Sequence, residues 1–389
     1  MNFHRLSNAK RNAILSGIKY HYPGKRKERP KMIQAKPVTT TPVIAPVPLA
    51  DGFSMPARFD EHARTLVTWP PQEEAANTDL EGFRSEVEAL VKSVSEFEPV
   101  TVLVDPDDAA DARARCGDHA DVMEVPVDAS WIRDNGPIFV RDADRQVAAV
   151  DFEFNGWGGR SPFVKTEAMP SLVASNLGMR CYHAPFICEG GGISVDGEGT
   201  LITTEQVMRN ANRYAGMSRE ELERGLHEYL GIEKVIWLGL GLVEDTETDG
   251  HVDNVVEYVA PGVVLAQTVR DVSNPNYELL QENLRRLKST RDAKGRQLDV
   301  IEMDVLPYLA PMNGKSLVAP YTNAYVVNGG IVAPRVDPRL DDLGYRILEQ
   351  AFPGRRIVPA PGLYQADGGG GIGCLTQQVP AGVMAKPSA

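Results

Sequence analysis

The sequence predicts an α/β fold in which five pseudo-repeated ββαβ-type units close into a ring, with a doubly wound sheet as the alternative. Three observations predict it. From about residue 53 the same order recurs: a polar or glycine-containing entry, a β-rich stretch often broken by a turn, an amphipathic helix and a short apolar strand. The unit starts lie roughly 60–70 residues apart. Turn-forming residues fall inside the β-rich stretches, and Asp196-Gly197 between alternating strands is a strong hairpin signal. In a ring of such units, the unit starts face the axis.

The first unit begins near His62, with a strand at 65–69, a helix over 80–94 and the apolar run 100–104. The second begins at Trp131: a hairpin over 138–152 turns at Asp142-Ala143-Asp144, and a helix near 165–177 precedes a strand at 180–183. The third begins at Gly190, with a hairpin over 192–203. Its helix starts at Ser218, where Glu220 and Glu221 in the first turn suit both the cap and the helix dipole, and a strand at 234–238 follows. The fourth begins near Asp253, with a hairpin over 255–269 turning at Pro261-Gly262, a helix at 277–287 and a strand at 298–303. The fifth begins near Tyr321, with a hairpin over 324–334 turning at Asn328-Gly329-Gly330, a helix at 341–351 and a strand at 356–358.

The 389 residues are 42% hydrophobic and 24% charged, which allows a sizeable core. Residues 1–52 are basic, then rich in Pro, Thr, Val and Ala, and are expected to form a disordered tail; residues 53–389 are expected to form one domain. Residues 1–50 carry +9 of a chain total of −12, leaving −21 on the remainder. An acidic body disfavours nucleic acid and anionic membranes and favours encounter with a small cation. No apolar run reaches the roughly 18–20 residues of a membrane span, and no signal-type segment opens the chain, so a cytoplasmic location is expected. Whether the chain forms a homo-oligomer is left open. The cysteines Cys116, Cys181, Cys188 and Cys374 form no CxxC pair and are expected to be reduced.

Unusual polar clusters fall at the unit starts: Trp131-Ile132-Arg133-Asp134-Asn135-Gly136-Pro137, Cys188-Glu189-Gly190-Gly191-Gly192, Thr248-Asp249-Gly250-His251-Val252-Asp253-Asn254, and the glycine-rich approach to Cys374. In a ring they converge on one pocket. Glycines before Cys374 let backbone approach a ligand, and the polar Thr376, Gln377 and Gln378 after it are unlike the surroundings of an inert core cysteine. His251 is the candidate acid/base partner of that thiol, the alternative being a buried packing cysteine. Asp134, Glu189 and Asp253 are either turn residues or a set of carboxylates facing the thiol. Such a set suits a planar guanidinium, which carboxylates hold through paired N–H···O bonds. A divalent metal on the His-x-Asp pair is the rival; there is no HExxH and no second histidine near any motif.

These segments, in this order, resemble the agmatine deiminase family, also grouped with the bacterial-type peptidyl-arginine deiminases. Met55-Pro56-Ala57, Thr68-Trp69-Pro70, the Phe154–Gly159 stretch and Asn274-Pro275-Asn276-Tyr277 resemble it further, over about residues 53–381. The resemblance implies a five-bladed α/β propeller around a central active site, without metal or organic cofactor. It implies that Cys374 attacks a guanidinium carbon, that Asp134 and Asp253 grip the nitrogens, that His251 moves protons and that Glu189 orients the cation and supports His251. Trp131 either lines the site or belongs to the core. The implied reaction is agmatine to N-carbamoylputrescine and ammonia through a covalent thiouronium. Arginine or peptidyl-arginine deimination and non-catalytic guanidine binding are the alternatives. The chain departs from the family at two positions before the nucleophile, where Gly371 and Gly373 stand in place of Asn and His, and in residues 304–320, which are shorter than the family's loop.

Overall fold

The structure, a computed structural model, describes residues 46–387 apart from 77, 162, 215, 313 and 314. The expected tail over 1–45 lies outside the described residues. Residues 46–52 were also expected in that tail but pack on the body. Pro48–Asp51 forms a 3-10 turn with Pro48 buried, Asp51 accepts from the Tyr182 hydroxyl (2.6 Å) and pairs with Arg180 (2.9 Å), and Val47 lies against the core.

Among the described residues there are five sheets of three or four strands and one separate hairpin. Three sheets follow one plan, an antiparallel hairpin, a helix, and a strand parallel to the second hairpin arm. They are Ser194–Val195, Thr200–Thr204 and Lys234–Leu238; Val256–Ala260, Val263–Gln267 and Asp299–Met303; and Tyr325–Val327, Gly330–Arg335 and Arg356–Pro361. Ile138–Arg141, Gln146–Glu153 and Cys181–Ile187 repeat the plan, and Val383–Met384 adds a fourth strand beside Gln146 and Val147. The mixed α/β class and the repeated units are therefore as the sequence predicts.

The first unit differs. His62–Thr68 runs parallel to Val100–Val104, but its antiparallel neighbour is Thr376–Pro380, from the far end of the chain. The helix Ala109–Cys116 and strand Asp121–Glu124 then extend that sheet. In the second unit the α-helix begins at Met169 rather than near 165, after a 3-10 turn over Thr166–Ala168. Pro170 has no N–H to donate and is tolerated only in a first helical turn, so the helix cannot start earlier. Elsewhere local chemistry sets the bounds. Ser218 and Glu221 form a reciprocal capping box on Arg219–Leu230, and Gly231 ends that helix in the left-handed region. The helix Leu80–Ser95 buries Phe83, Val87, Leu90, Val91 and Val94, one stripe at helical spacing, between the sheets of the first and fifth units.

The unit-start turns lie beside one another in chain order. Ile132–Asn135 touches Gly190–Gly192, which touches Val252–Asn254, which touches Tyr321–Asn323. The Gly373 N–H donates to the Asn323 carbonyl (3.0 Å) and the Arg133 N–H to the Cys374 carbonyl (3.1 Å), which completes a circuit of contacts. No helix among the described residues is long and apolar enough to cross a membrane.

Candidate active site

Cys374 stands at the end of the glycine run and immediately before the strand Thr376–Pro380. Within the run, Gly369 holds a positive φ of 100° and Gly370 is glycine for want of space, since a Cβ there would sit 2.4 Å from the Trp131 ring. Arg133, fully buried, fastens the segment from below. Its Nε donates to the Gly373 carbonyl (3.2 Å), and its Nη1 donates to the side-chain oxygens of Gln377 and Gln378, the latter at 2.9 Å. Gln377 and Gln378 thus bind an arginine rather than a ligand, and the Thr376 hydroxyl donates to the Ile372 carbonyl (3.0 Å). Trp131 has both roles expected of it as alternatives, stacking on Phe83 (5.6 Å between centroids) and lining the cavity above Cys374.

Three of the four charged candidates meet at Gly191, and the fourth, Glu189, reaches them through His251. A Cβ on Gly191 would lie 2.5 Å from His251 Nδ1, 2.8 Å from Asp134 Oδ1 and 3.0 Å from Asp253 Oδ2. Backbone without a side chain is what leaves room for three ionisable groups around one point. The Gly191 N–H donates to Asp134 Oδ1 (2.9 Å) and the Trp157 indole N–H to Asp134 Oδ2 (3.0 Å), so this carboxylate is aimed from both sides. His251 Nε2 bonds Glu189 Oε2 (2.7 Å), and its Nδ1 is 3.7 Å from Asp134 Oδ1. Asp253 Oδ2 is 4.0 Å from Cys374 Sγ. Asp253 Oδ1 and His251 Nδ1 are buried without a hydrogen-bond partner among the described residues. The structure therefore brings Cys374, His251, Glu189, Asp134, Asp253 and Trp131 together.

The electrostatics follow from burial and crowding. Burial pushes the Asp253 carboxyl up, neighbouring Asp134 and Glu257 add to this, and Arg58 and His251 oppose it; the result is about 6. Burial alone would lower the His251 imidazolium, but Asp134, Glu189 and Asp253 outweigh it and raise it to about 9. The Cys374 thiol is raised well above its ordinary value by burial and then by Asp253 and Asp134. Glu189 stays below the usual carboxylate range, because His251 and Arg213 overcome its burial.

A cavity of about 330 Å³ reaches this cage from the surface. Its inner end is formed by Asp134 and Cys374, with Trp131 and Trp157 on its sides, while His251, Asp253 and Glu189 stand behind that wall. Several functional residues carry no local sequence signal. Arg213, on the four-residue helix Ala211–Tyr214, donates to Glu189 Oε1 (2.7 Å), Asp249 Oδ2 (2.7 Å) and the Thr248 carbonyl (3.1 Å). Arg58 donates to Glu257 Oε2 (2.7 Å) and the Gly190 carbonyl (3.1 Å) beneath the cage. Trp157 holds a left-handed backbone (φ 53°) flanked by glycines in the same region, which is what turns its indole onto Asp134.

Residues 54–380 match the family model for Porphyromonas-type peptidyl-arginine deiminase. The chain belongs to that family. Within it, this chain is 40% identical over 365 residues to the agmatine deiminase of Ectopseudomonas mendocina, covering 87% of this chain and 98% of that one. It is 39% identical over 358 residues to the agmatine deiminase of Pseudomonas aeruginosa strain LESB58, covering 86% and 97%. Its structure resembles the agmatine deiminase of Enterococcus faecalis, solved catalysing its reaction, with a TM-score of 0.83 and 30% identity over 88% of this chain and 99% of that one. Against this family background the other cysteines are ordinary. All four are unpaired, burial raises the thiols of Cys116, Cys181 and Cys188, and Cys374 is the one that lines the cavity. Among the described residues no group of three or more His, Cys, Asp or Glu is arranged to hold a metal ion.

Proposed function

We propose that this deiminase-family chain hydrolyses the guanidinium of agmatine to N-carbamoylputrescine and ammonia, with Cys374 as nucleophile. The observation that carries the proposal is Asp253, caged with Asp134 and His251, whose Oδ1 has no partner among the described residues and whose Oδ2 lies 4.0 Å from the Cys374 thiol. A buried carboxylate oxygen without a donor is costly, and a bound cation with several N–H groups supplies the donors. Agmatine rather than arginine follows from the cavity lining. Among the described lining residues, Asp128 and Glu247 are acidic, as is Glu73 although it pairs with Lys165 (3.1 Å), and the one cationic side chain, Arg160, is already held bidentately by Asp249 (2.6 and 2.7 Å). An α-carboxylate would meet like charge there.

The chemistry is derived from these positions. The guanidinium enters between Asp134 and Asp253, its charge offsets theirs, and the thiol, freed of the repulsion that kept it protonated, gives its proton to solvent water. The thiolate attacks the guanidinium carbon, and the His251 imidazolium gives its proton to the departing nitrogen, releasing ammonia and leaving a thiouronium on Cys374. Neutral His251 then takes a proton from water, whose oxygen bonds to the same carbon and expels the sulfur. Glu189 holds His251 in place through both steps. The sulfur leaves as thiolate and takes the proton left on the ureido product, which restores the thiol; one water is consumed, and the proton first given to solvent ends on ammonia as ammonium.

We further propose that the five sheets are the blades of an α/β propeller, with the unit-start turns at its axis. The pairing of Thr376–Pro380 with His62–Thr68, which joins the chain's two ends in one sheet, supports this arrangement. An unpaired nucleophilic thiol suits a reducing compartment, so we assign the enzyme to the cytoplasm.

The test is ureido-product and ammonia release from agmatine, arginine and a peptide ending in arginine, with and without chelator. Agmatine-selective, chelator-insensitive turnover supports the proposal; activity lost on chelation would replace it with a metal-assisted one. The pH profile is a second check. Asp253 must be ionised, so activity falls as pH drops through about 6, and His251 must be protonated, so activity falls as pH rises through about 9. The expected kcat/KM profile is a bell between those limbs.

A further inference from the structure

We propose that Asn323 is the positioning residue of the Cys374 nucleophile, and that Gly371 and Gly373 are glycine because the Asn323 amide occupies the space their side chains would need. The inference rests on Cys374 being the nucleophile. Asn323 closes the 3-10 turn Tyr321–Asn323 at the start of the fifth unit and is 2% exposed. Its Nδ2 lies 3.6 Å from Cys374 Sγ and donates to Asn254 Oδ1 (3.2 Å), beside Asp253, and its Oδ1 lies 3.7 Å from the same sulfur, where it accepts from the thiol until the thiol ionises. Its Oδ1 accepts from the Gly373 N–H (3.0 Å), and its backbone carbonyl accepts from the same N–H (3.0 Å). One side chain thus ties the nucleophile segment to the turn that carries Asp253 and places an amide donor against the sulfur.

The glycines fit this arrangement in a specific way. A Cβ on Gly371 would lie 2.7 Å from Asn323 Oδ1, and one on Gly373 would lie 2.9 Å from it. Neither glycine has a positive φ, so backbone conformation does not demand glycine at either position. Clearance for Asn323 does. This accounts for the departure from the family pattern at both positions with one cause.

A donor to sulfur favours the thiolate over the thiol, since the bond strengthens when the acceptor carries charge. In a cage of carboxylates that oppose the thiolate, such a donor matters for rate and little for substrate affinity. Asn323→Ala is therefore expected to lower kcat about 10- to 100-fold, the size of a hydrogen bond to a charged group, with KM within about threefold. The pH midpoint for alkylation of Cys374 by iodoacetamide, followed by mass of the modified peptide, is expected to move up. Asn323→Asp, the same shape with a charge in place of the donor, should move it further. Gly373→Ala should reproduce Asn323→Ala, and the double variant should be no worse than either single one, because both remove the same contact. The experiment uses the full chain with Cys374→Ala alongside. Turnover surviving in Cys374→Ala overturns the nucleophile assignment and this inference with it. A dead Cys374→Ala beside a folded Asn323→Ala with wild-type kcat and alkylation midpoint overturns the role of Asn323 alone. Should Asn323→Ala fail to fold, Gly373→Ala carries the same test: wild-type kcat and midpoint there overturn the inference, and its kcat loss with a raised midpoint supports it.

Discussion

Alanine or serine at position 374 is expected to reduce ureido-product formation by roughly four orders of magnitude or more, while leaving the fold nearly untouched. The alanine case follows from losing the attacking atom. The serine case is more informative. A hydroxyl needs a neutral base to become a nucleophile, and His251 cannot supply one, because Asp134, Glu189 and Asp253 hold it as imidazolium up to about pH 9. The charge state that makes His251 a good acid toward departing ammonia is the one that makes serine inert. Stability should change by no more than about 1 kcal/mol, since no volume is added and a serine hydroxyl has Asn323 and Asp253 within reach of the thiol's place. Agmatine should still bind, because Asp134 and Asp253 remain. Parallel measurements of ammonia release, agmatine binding and thermal midpoint decide the matter. Residual turnover within a hundredfold of wild type in either variant would remove covalent catalysis from the proposal.

Much of the fold was legible because its determinants are local. Asp196-Gly197, Pro261-Gly262 and Asn328-Gly329 turn hairpins, and Ser218 with Glu221 starts a helix, through contacts spanning a few residues. The first sheet was legible only in part. Its hairpin partner lies about three hundred residues away in Thr376–Pro380, and pairing at that separation leaves no mark on the local pattern of either strand. At the site, Asp134, Glu189 and Asp253 were visible because each sits beside Gly or Asn in a turn-like segment, and His251 because Gly250 precedes it and Asp253 follows it. Gly191 is the physical reason: its missing Cβ is where three of them meet. Gln377 and Gln378 were visible but for another purpose, as acceptors for buried Arg133. Asn323 and Arg213 could not be found by inspection. Each is an ordinary polar residue in a short turn or helix, and its meaning comes from partners on other units.

Arg213 is where that hidden layer should have its largest effect. Its side chain is fully buried and makes ion pairs at 2.7 Å with both Glu189 and Asp249. Arg213→Ala is expected to cost on the order of 3–5 kcal/mol of stability, the usual penalty for leaving a buried partner charge uncompensated. Arg213→Lys should recover only part of it, because an ammonium cannot reproduce the fork that spans two carboxylates and the Thr248 carbonyl. The catalytic effect has a definite sign. With Arg213 gone, Glu189 loses the cation that shares its charge and attracts the His251 imidazolium more strongly. His251 then holds its proton to higher pH, so the alkaline limb of kcat/KM moves up from about 9, while the neutral form needed to activate water becomes scarcer and kcat falls. A purely structural arginine would lower the thermal midpoint and leave the limb in place. Urea denaturation together with pH-rate profiles of wild type, Arg213→Ala and Arg213→Lys separates the two. An unmoved limb would mean that Glu189 acts on His251 independently of the arginine behind it.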